Sequence, residues 1–472
     1  MFLLILFVYF VSFTDKPEKS APALSPRAVE QRAKWGIATD EKDYPVARLY
    51  TDSLQRMGAT IHHTSRWFNG ATAEMEPETA EKVKRLKFVT AVEMTRDDTP
   101  TGALYVKHWI PVSSALPKES DSGWRTDGQL NLHNLKPLHE AGFEGQGILM
   151  TICDGGFYNA DTLSCFRQNQ ALGHFDFTDD TDDFYGPTGL HGTYCLSTIS
   201  GIQEGYHGAA AKAQYYLMRS EEYSTESPKE MDNLVAALEK ADSLGVNVFS
   251  VSLGYAMFDN AEWTLPKTAL DGKSTRVSQA ATIAARKGML VCVAAGNEGD
   301  KAWHTICTPA DADSVLTVGA VRTDSVIGDF SSYGPSADGR VKPDVCAVGV
   351  LTALINAGGN VINGHGTSFA TPLLAGLAAS LWSALPHENA MQIRERIIRS
   401  ADRYTSPDTN QYGYGIPDAW KAYTMSTPQG LRDVQRDNGQ CTKVLRDGQV
   451  LIIRGGRSYD LMGREIINRE SR

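Results

Sequence analysis

Residues 229–251, KEMDNLVAALEKADSLGVNVFSV, contain an amphipathic helical pattern directly followed by a strand. The helix is predicted over residues 229–244. Gly245 follows it as a C-cap, since glycine adopts the left-handed conformation that ends many helices. Residues 246–251 then form the strand. A helix that leads straight into a buried strand is the repeating unit of α/β proteins.

The same unit recurs on both sides of this stretch. Residues 147–153, GILMTIC, and residues 213–218 are apolar strands, and a second predicted helix at 276–287 precedes a strand at 289–294. Apolar strands separated by helices of about 10 to 15 residues predict a parallel sheet covered on both faces, with right-handed crossovers. Functional residues are then expected beyond the carboxyl ends of the strands.

Length and charge limit the class of protein. The chain has 472 residues, a formal charge of −10, 22% charged residues and 42% hydrophobic residues. This is ordinary globular composition, and the length suits roughly three domains. The acidic balance argues against nucleic-acid binding by phosphate neutralisation. After the N-terminus, no run approaches the roughly 20 apolar residues of a membrane helix.

The N-terminal residues 1–13, MFLLILFVYFVSF, are wholly apolar or small. They fit the apolar region of a secretory signal, although the basic residues that usually precede such a region are missing. In the alternative interpretation, residues 9–13 already belong to the first strand of the next domain. We expect a signal segment and keep the strand as the alternative.

The remaining chain divides into four parts. Residues 14–97 mix helical and strand patterns and predict a small α+β domain, while residues 98–125, rich in Pro, Ser, Thr and Gly, predict a linker open to proteolysis. Residues 126–425 form the α/β domain. Residues 430–472 predict a small β module with two strands around Asp447-Gly448 and a third beyond Gly455-Gly456.

The seven cysteines do not indicate a zinc cluster, because none forms a CxxC pair. Four lie in apolar runs and are expected to be buried thiols, and one or two disulfides stay open as an alternative. The four are Cys153, Cys195, Cys292 and Cys346.

Four polar residues occupy turns or helix starts next to the predicted strands. Asp154 ends GILMTIC and precedes two glycines, and His191 opens HGTYCLSTISG. Asn297 lies in AAGNEG (294–299), directly after a strand. Ser368 lies in GHGTSFATP (364–372), before an apolar helix predicted at 373–385. Each alone has an ordinary interpretation as a turn residue or, for Ser368, a helix N-cap.

Together, the blocks DGG, HGT, AAGNEG and GTSFATP, in this order, resemble those of the subtilisin-like serine proteases (peptidase S8), whose triad runs Asp, His, Ser. The resemblance covers residues 126–425. It implies a three-layer subtilisin-like domain and a secreted serine endopeptidase that acts through an acyl-enzyme. Asp154, His191 and Ser368 would be the triad, and Asn297 would contribute to the oxyanion hole.

The resemblance also implies roles outside the triad. Substrate would bind at Ser252, Leu253, Gly254, Ala295 and Gly296. Residues 14–97, with FTDKP and SRWFNG, resemble the inhibitory propeptide of the family. The tail, with YDLMGREI (459–466), resembles sorting modules of proteins exported across outer membranes. Cys195 is similar to a buried thiol that some members keep beneath the catalytic histidine.

Three further expectations concern chemistry and partners. His365 is the competing base, but its place on the same tight loop as Ser368 makes a linear hydrogen bond awkward. No cofactor is required, and an aspartate cluster has enough oxygens for structural calcium, with a solvated loop as the alternative. Extended peptides would pair with a strand edge. The cluster consists of Asp176, Asp179, Asp180, Asp182 and Asp183.

Two other functions remain as alternatives. The first is a non-catalytic scaffold of the same fold that binds proteins. The second is an α/β-hydrolase esterase, which is disfavoured because that class places serine in GxSxG, whereas the motif here ends in Ala370. The expected location is secreted, cell-surface or periplasmic.

Overall fold

The computed structural model describes residues 7–17, 20–97, 125–178, 183–223 and 225–426, together with the strand backbones between 442 and 466. These residues form two compact units, 1–425 and 426–472. The first unit contains the N-terminal domain and the α/β domain. The two units are described separately below.

The N-terminal domain is a four-stranded antiparallel sheet with the strand order β2-β3-β1-β4 and flanking helices. Its elements are β1 (Phe7–Phe13), α1 (Pro26–Lys34), α2 (Arg48–Arg56), β2 (Thr60–Ser65), β3 (Gly70–Glu74), α3 (Pro77–Val83) and β4 (Val89–Asp97).

The boundary predicted after residue 13 is wrong. Phe7–Phe13 is strand β1, which pairs with both β3 and β4 and lies in the middle of the sheet. Most of its side chains are apolar, and most of them are buried within the domain. The alternative, in which residues 9–13 belong to the first strand, is therefore the correct one. The predicted linker lies outside the described residues except for Arg125.

The α/β domain is built on a parallel sheet with the order β13-β12-β11-β10-β5-β9-β6 among the described strands. Its elements are α4 (Asp127–Leu132), α5 (Lys136–Glu140), β5 (Leu149–Asp154), β6 (Gly173–Asp176), α6 (Leu190–Ser200), β7 (Ile202–Gln203), β8 (Tyr206–His207), β9 (Gln214–Arg219), α7 (Lys229–Leu244), β10 (Val248–Val251), α8 (Arg276–Arg286), β11 (Leu290–Ala294), β12 (Leu316–Val321), β13 (Val345–Val348), β14 (Thr352–Ile355), β15 (Val361–Gly364), α9 (Thr367–Ala384), α10 (Ala390–Ser400) and α11 (Ala419–Thr424).

Helices cover both faces of this sheet, as the sequence predicts. In β10, Val248 faces the cluster that contains α6 and α9, and Phe249 faces the cluster that contains α7 and α8. Gly245 ends α7 with φ = +75°, the left-handed conformation expected of its C-cap. The domain thus has three layers, with helices on either side of the sheet.

The C-terminal unit contains a four-stranded antiparallel sheet. Its strands are β16 (Thr442–Arg446), β17 (Gln449–Arg454), β18 (Arg457–Tyr459) and β19 (Glu465–Ile466). The first three strands are those that the sequence predicts, and β19 is additional. Within the part of the chain that the structure describes, no helix is both long enough and apolar enough to span a membrane.

Candidate active site

Asp154 and His191 meet at the carboxyl edge of the parallel sheet. Asp154 is the last residue of β5, and His191 is the second residue of α6. Nδ1 of His191 lies 2.9 Å from each carboxylate oxygen of Asp154, and Asp154 is fully buried. A buried carboxylate that accepts from one ring nitrogen fixes the tautomer and directs the other nitrogen elsewhere.

Ser368 lies in the first turn of α9, which begins at Thr367 after the N-cap Gly366. The helix predicted from residue 373 therefore starts six residues earlier, and Ser368 is not its N-cap. Pro372 lies inside the helix and has no N–H to donate to the carbonyl four residues before it, that of Ser368. This carbonyl instead accepts hydrogen bonds from Ser252 Oγ at 2.8 Å and Cys195 Sγ at 3.3 Å.

Cys195 connects the histidine to the serine. Its Sγ lies 3.7 Å from Nδ1 of His191 and donates to the carbonyl of Ser368. The ring of His191 also lies 5.6 Å from that of Phe369, the residue after Ser368. The structure therefore brings together the three predicted triad residues around one thiol. Burial, and then the charge of Asp154, raise the pKa of Cys195, so the thiol stays neutral.

Asn297 is fixed by Thr367. Its Oδ1 accepts from the backbone N of Thr367 at 2.9 Å and from its hydroxyl at 3.0 Å, which leaves Nδ2 as the outward donor. A Cβ placed on Gly366 would lie 3.6 Å from the backbone N of Ser368 and 3.8 Å from Nδ2 of Asn297. Two donors therefore border the same small space above Gly366, which is the arrangement that an oxyanion requires.

The predicted substrate-binding residues form two segments beside this site. Leu253 is buried among the residues around α7 and α8, and Gly254 is exposed. Cys307 lies close to both segments. A Cβ added to Gly254 would lie 2.9 Å from Cβ of Cys307, and a Cβ added to Gly296 would lie 3.3 Å from its Sγ. Burial, and then the charge of Glu298, raise the pKa of this thiol. The two segments thus lie on either side of the buried Cys307.

Two features of the site were not predicted from the sequence. Thr367 orients Asn297, and Pro372 frees the carbonyl of Ser368. A proline four residues after a candidate serine, within an apolar helix, is a pattern that could have revealed the second feature. His365, the competing base, lies between β15 and α9, and partial burial lowers its pKa.

The predicted aspartate cluster is only partly described, because residues 179–182 lie outside the described ranges. Asp176 Oδ2 accepts from Nε of Arg219 at 2.8 Å and also pairs with its Nη2, and Oδ1 accepts from Thr178. Asp183 Oδ1 accepts from the backbone N of Tyr185 at 3.0 Å. The described carboxylates therefore already have protein partners. Six of the seven cysteines are buried free thiols, and Cys441 lies outside the described residues.

Two known protein families match most of the first unit. Residues 145–415 match the subtilase family (peptidase S8), which is more than half of the chain. The chain belongs to the subtilase family. Residues 8–105 match the peptidase S8 propeptide domain of Bacteroidota, which confirms the predicted propeptide and begins within β1.

Individual relatives agree with this assignment. The chain is 26% identical over 309 residues to the serine protease AprX of Bacillus subtilis, covering 58% of this chain and 66% of AprX. It is 28% identical over 279 residues to subtilisin DY of Bacillus licheniformis, covering 58% of this chain and 90% of that protein. These subtilases are serine endopeptidases, and the alternative of a binding scaffold is not favoured.

Solved structures support the same fold. The crystal structure of MycP1 from Mycobacterium smegmatis aligns with a TM-score of 0.54 and 19% identity, covering 69% of this chain and 90% of that chain. The structure of MycP1 with its N-terminal propeptide removed aligns with a TM-score of 0.52 and 21% identity, covering 64% of this chain and 98% of that chain. At this identity the likeness concerns the subtilase fold alone.

Proposed function

We propose that this subtilase hydrolyses peptide bonds with Ser368 as nucleophile, His191 as general base and Asp154 as the residue that orients the histidine. A serine hydroxyl is a weak nucleophile at neutral pH, so a base must take its proton as it attacks the scissile carbonyl. His191 then returns the proton to the leaving amine, which leaves an acyl-enzyme that water hydrolyses. The observation that carries the proposal is the 2.9 Å contact between His191 and Asp154, beside the N-terminus of the Ser368 helix.

The oxyanion that forms during attack would be held by Nδ2 of Asn297 and the backbone N of Ser368. Both donors are fixed before the substrate arrives, because Thr367 holds the Asn297 side chain and α9 holds the Ser368 backbone. Donors fixed in advance stabilise the transition state without the cost of reorientation. This charge is absent from the bound substrate, so the stabilisation acts on turnover.

The N-terminal domain would act as an intramolecular inhibitor that is later removed. It packs on α7, where the carboxylate of Glu239 accepts from Ser65 Oγ at 2.6 Å, Arg66 N at 2.9 Å and Trp67 N at 3.1 Å. Asp242 on the same helix binds both Arg32 and Arg66 through buried charged hydrogen bonds. Such bonds are strong and hold the domain in one orientation.

Protein or peptide substrates would pair along Ser252–Gly254 and Ala295–Gly296, which would form the two sides of the substrate-binding site. We expect no dissociable cofactor, since a serine, a histidine and two fixed donors supply the required chemistry. We also propose export to the cell surface, periplasm or exterior. The C-terminal unit is proposed to engage the secretion machinery, on the basis of its resemblance to sorting modules.

The proposed function is tested by expressing the full-length chain, allowing it to process itself, and following hydrolysis of a denatured protein substrate. The matched variant is Ser368→Ala, which removes one oxygen at a buried position. We expect the native chain to cleave the substrate. We expect the Ser368→Ala chain to stay unprocessed and to cleave nothing. Equal cleavage by the two proteins would contradict the assignment of Ser368.

A further inference from the structure

Three buried glycines lie beside Asp154 and His191 in the sequence. Gly156 follows Asp154 by two residues. Gly189 precedes His191 by two residues, and Gly192 directly follows it. The segment after β5 and the start of α6 therefore carry both a triad residue and at least one glycine at which another backbone can approach closely.

The backbones of Gly156 and Gly189 are in direct contact. A Cβ added to Gly189 would lie 2.5 Å from Cα of Gly156 and 2.8 Å from the backbone N of Phe157. Non-bonded carbon atoms pack at about 3.5–4.0 Å, so an added methyl group would force the two segments apart by about 1 Å. The atoms that it would meet belong to the backbone and cannot rotate away as a side chain can. Glycine at residue 189 thus sets the distance between the two segments.

Hydrogen bonds hold the same two segments together. The backbone N of Tyr158 donates to the carbonyl of Gly189 at 2.7 Å, and the hydroxyl of the buried Thr193 donates to the carbonyl of Tyr158 at 2.8 Å. Gly189 is also the N-cap of α6. A shift of the Gly189 backbone therefore moves the start of the helix that carries His191.

The contact between Asp154 and His191 depends on this spacing. Nδ1 of His191 lies 2.9 Å from each carboxylate oxygen. A displacement of about 1 Å would lengthen these distances beyond the range of a hydrogen bond. In an enzyme whose reacting groups must meet in one geometry, a misplacement of about 1 Å is enough to lower the rate about 10²-fold.

We propose that Gly189 is a positioning residue for catalysis. The absence of a side chain at this residue lets the segment after Asp154 approach α6 closely enough for the carboxylate to hold the ring of His191. The proposal rests on the peptidase function proposed above. Gly189 acts through His191, so its role is visible in the kinetics of the folded enzyme.

The test compares Gly189→Ala with the native chain after both have processed themselves, with competent sites counted by fluorophosphonate labelling at saturation. We expect kcat to fall about 10²-fold and KM to stay within about twofold of the native value. The acid limb of the plot of kcat/KM against pH should move to lower pH by about one unit, because a protonated histidine farther from its carboxylate is less stable. A loss of folded protein alone would change neither KM nor this plot.

Gly173→Ala is the matched control. A Cβ added to this residue of β6 would lie 3.4 Å from the ring of Tyr216, which is an ordinary contact. Its kcat and pH dependence should stay close to those of the native enzyme.

Thr193→Val is a second variant, which keeps the shape of the side chain and removes the hydroxyl that donates to Tyr158. We expect kcat to fall about fivefold, with the acid limb shifted in the same direction. This variant decides the test if Gly189→Ala does not fold.

The proposal is overturned by native kcat in Gly189→Ala, or in Thr193→Val where Gly189→Ala does not fold. It is also overturned by a lowered kcat with an unchanged pH dependence, which would indicate a structural role alone. Failure of the native chain to cleave its substrate would instead contradict the proposed function.

Discussion

The carbonyl oxygen of Ser368 accepts a hydrogen bond from the hydroxyl of Ser252 at 2.8 Å. This bond exists because Pro372, four residues along α9, has no N–H to occupy the carbonyl. In return, Oγ of Ser368 lies 3.4 Å from the carbonyl of Ser252. Ser252, from the proposed substrate-binding segment, therefore holds the backbone of Ser368, the proposed nucleophile.

Replacing Ser252 with alanine should lower kcat about tenfold, because a buried carbonyl that loses its main donor costs about 1–3 kcal/mol and Ser368 would shift to recover it. Cys195 remains as a weaker donor, so some activity persists. The measurement is steady-state peptide hydrolysis. Ser250→Ala is the matched control, since Ser250 is a buried serine on the same chain segment whose Oγ has no hydrogen-bond partner among the described residues. Equal effects of the two changes would rule out a positioning role.

Replacing Asn297 with aspartate should lower kcat by about 10²- to 10³-fold with little change in KM. Aspartate keeps the oxygen that accepts from Thr367 but removes the Nδ2 donor. The magnitude is the one known for this donor in subtilisin, a member of the same family, and is carried over from it. Asn297→Ala should show a similar loss. A variant with near-native turnover would show that Nδ2 does not hold the oxyanion.

Acid pH should destabilise the fold through His133. Burial lowers its pKa to about 4, and its Nδ1 lies 3.0 Å from the carbonyl of Pro417. Between about pH 6.5 and pH 4 the unfolded chain binds a proton that the folded chain does not, so the free energy of unfolding decreases as the pH falls, by about 3 kcal/mol in total.

This pH dependence is measured by denaturant unfolding of the Ser368→Ala chain, which cannot digest itself, at pH 7 and pH 4. In the double variant that also carries His133→Asn, the loss between the two pH values should be smaller by about 3 kcal/mol. Identical losses in both proteins would mean that His133 is not neutral and buried in the folded chain.

Removal of calcium should leave the melting temperature unchanged. Asp176 is committed to Arg219 and Thr178, so its oxygens already accept from protein donors. The measurement is thermal unfolding of the Ser368→Ala chain with and without EDTA. A decrease of several degrees on chelation, reversed by added calcium, would instead support a structural calcium site.

The sequence predicted those parts of the fold that depend on local patterns. The helix at 229–244, its glycine C-cap and the apolar strands each follow from neighbouring residues, and the motif blocks identified the four polar residues of the site. The start of α9 was misjudged because a proline at its sixth position normally marks a helix beginning. Here the helix tolerates Pro372, since Ser252 from another strand end satisfies the freed carbonyl.

Other features depend on contacts between distant segments. The apolar run at residues 7–13 has the same composition in a secretory signal and in a central strand, and only its pairing with β3 and β4 distinguishes the two. The burial of three glutamates after β9 was not predicted either. Glu221, Glu226 and Glu230 look like solvated glutamates in sequence, yet all three are buried, and Glu221 accepts a hydrogen bond from the hydroxyl of Tyr255 on a distant segment.

The most direct test of the proposed triad is labelling with a fluorophosphonate, which reacts only with an activated serine. The account predicts one adduct per processed chain, located on Ser368 by mass spectrometry, together with loss of labelling in Ser368→Ala and His191→Ala and retention of most labelling in His365→Ala. Labelling that survives in His191→Ala and disappears in His365→Ala would contradict the account.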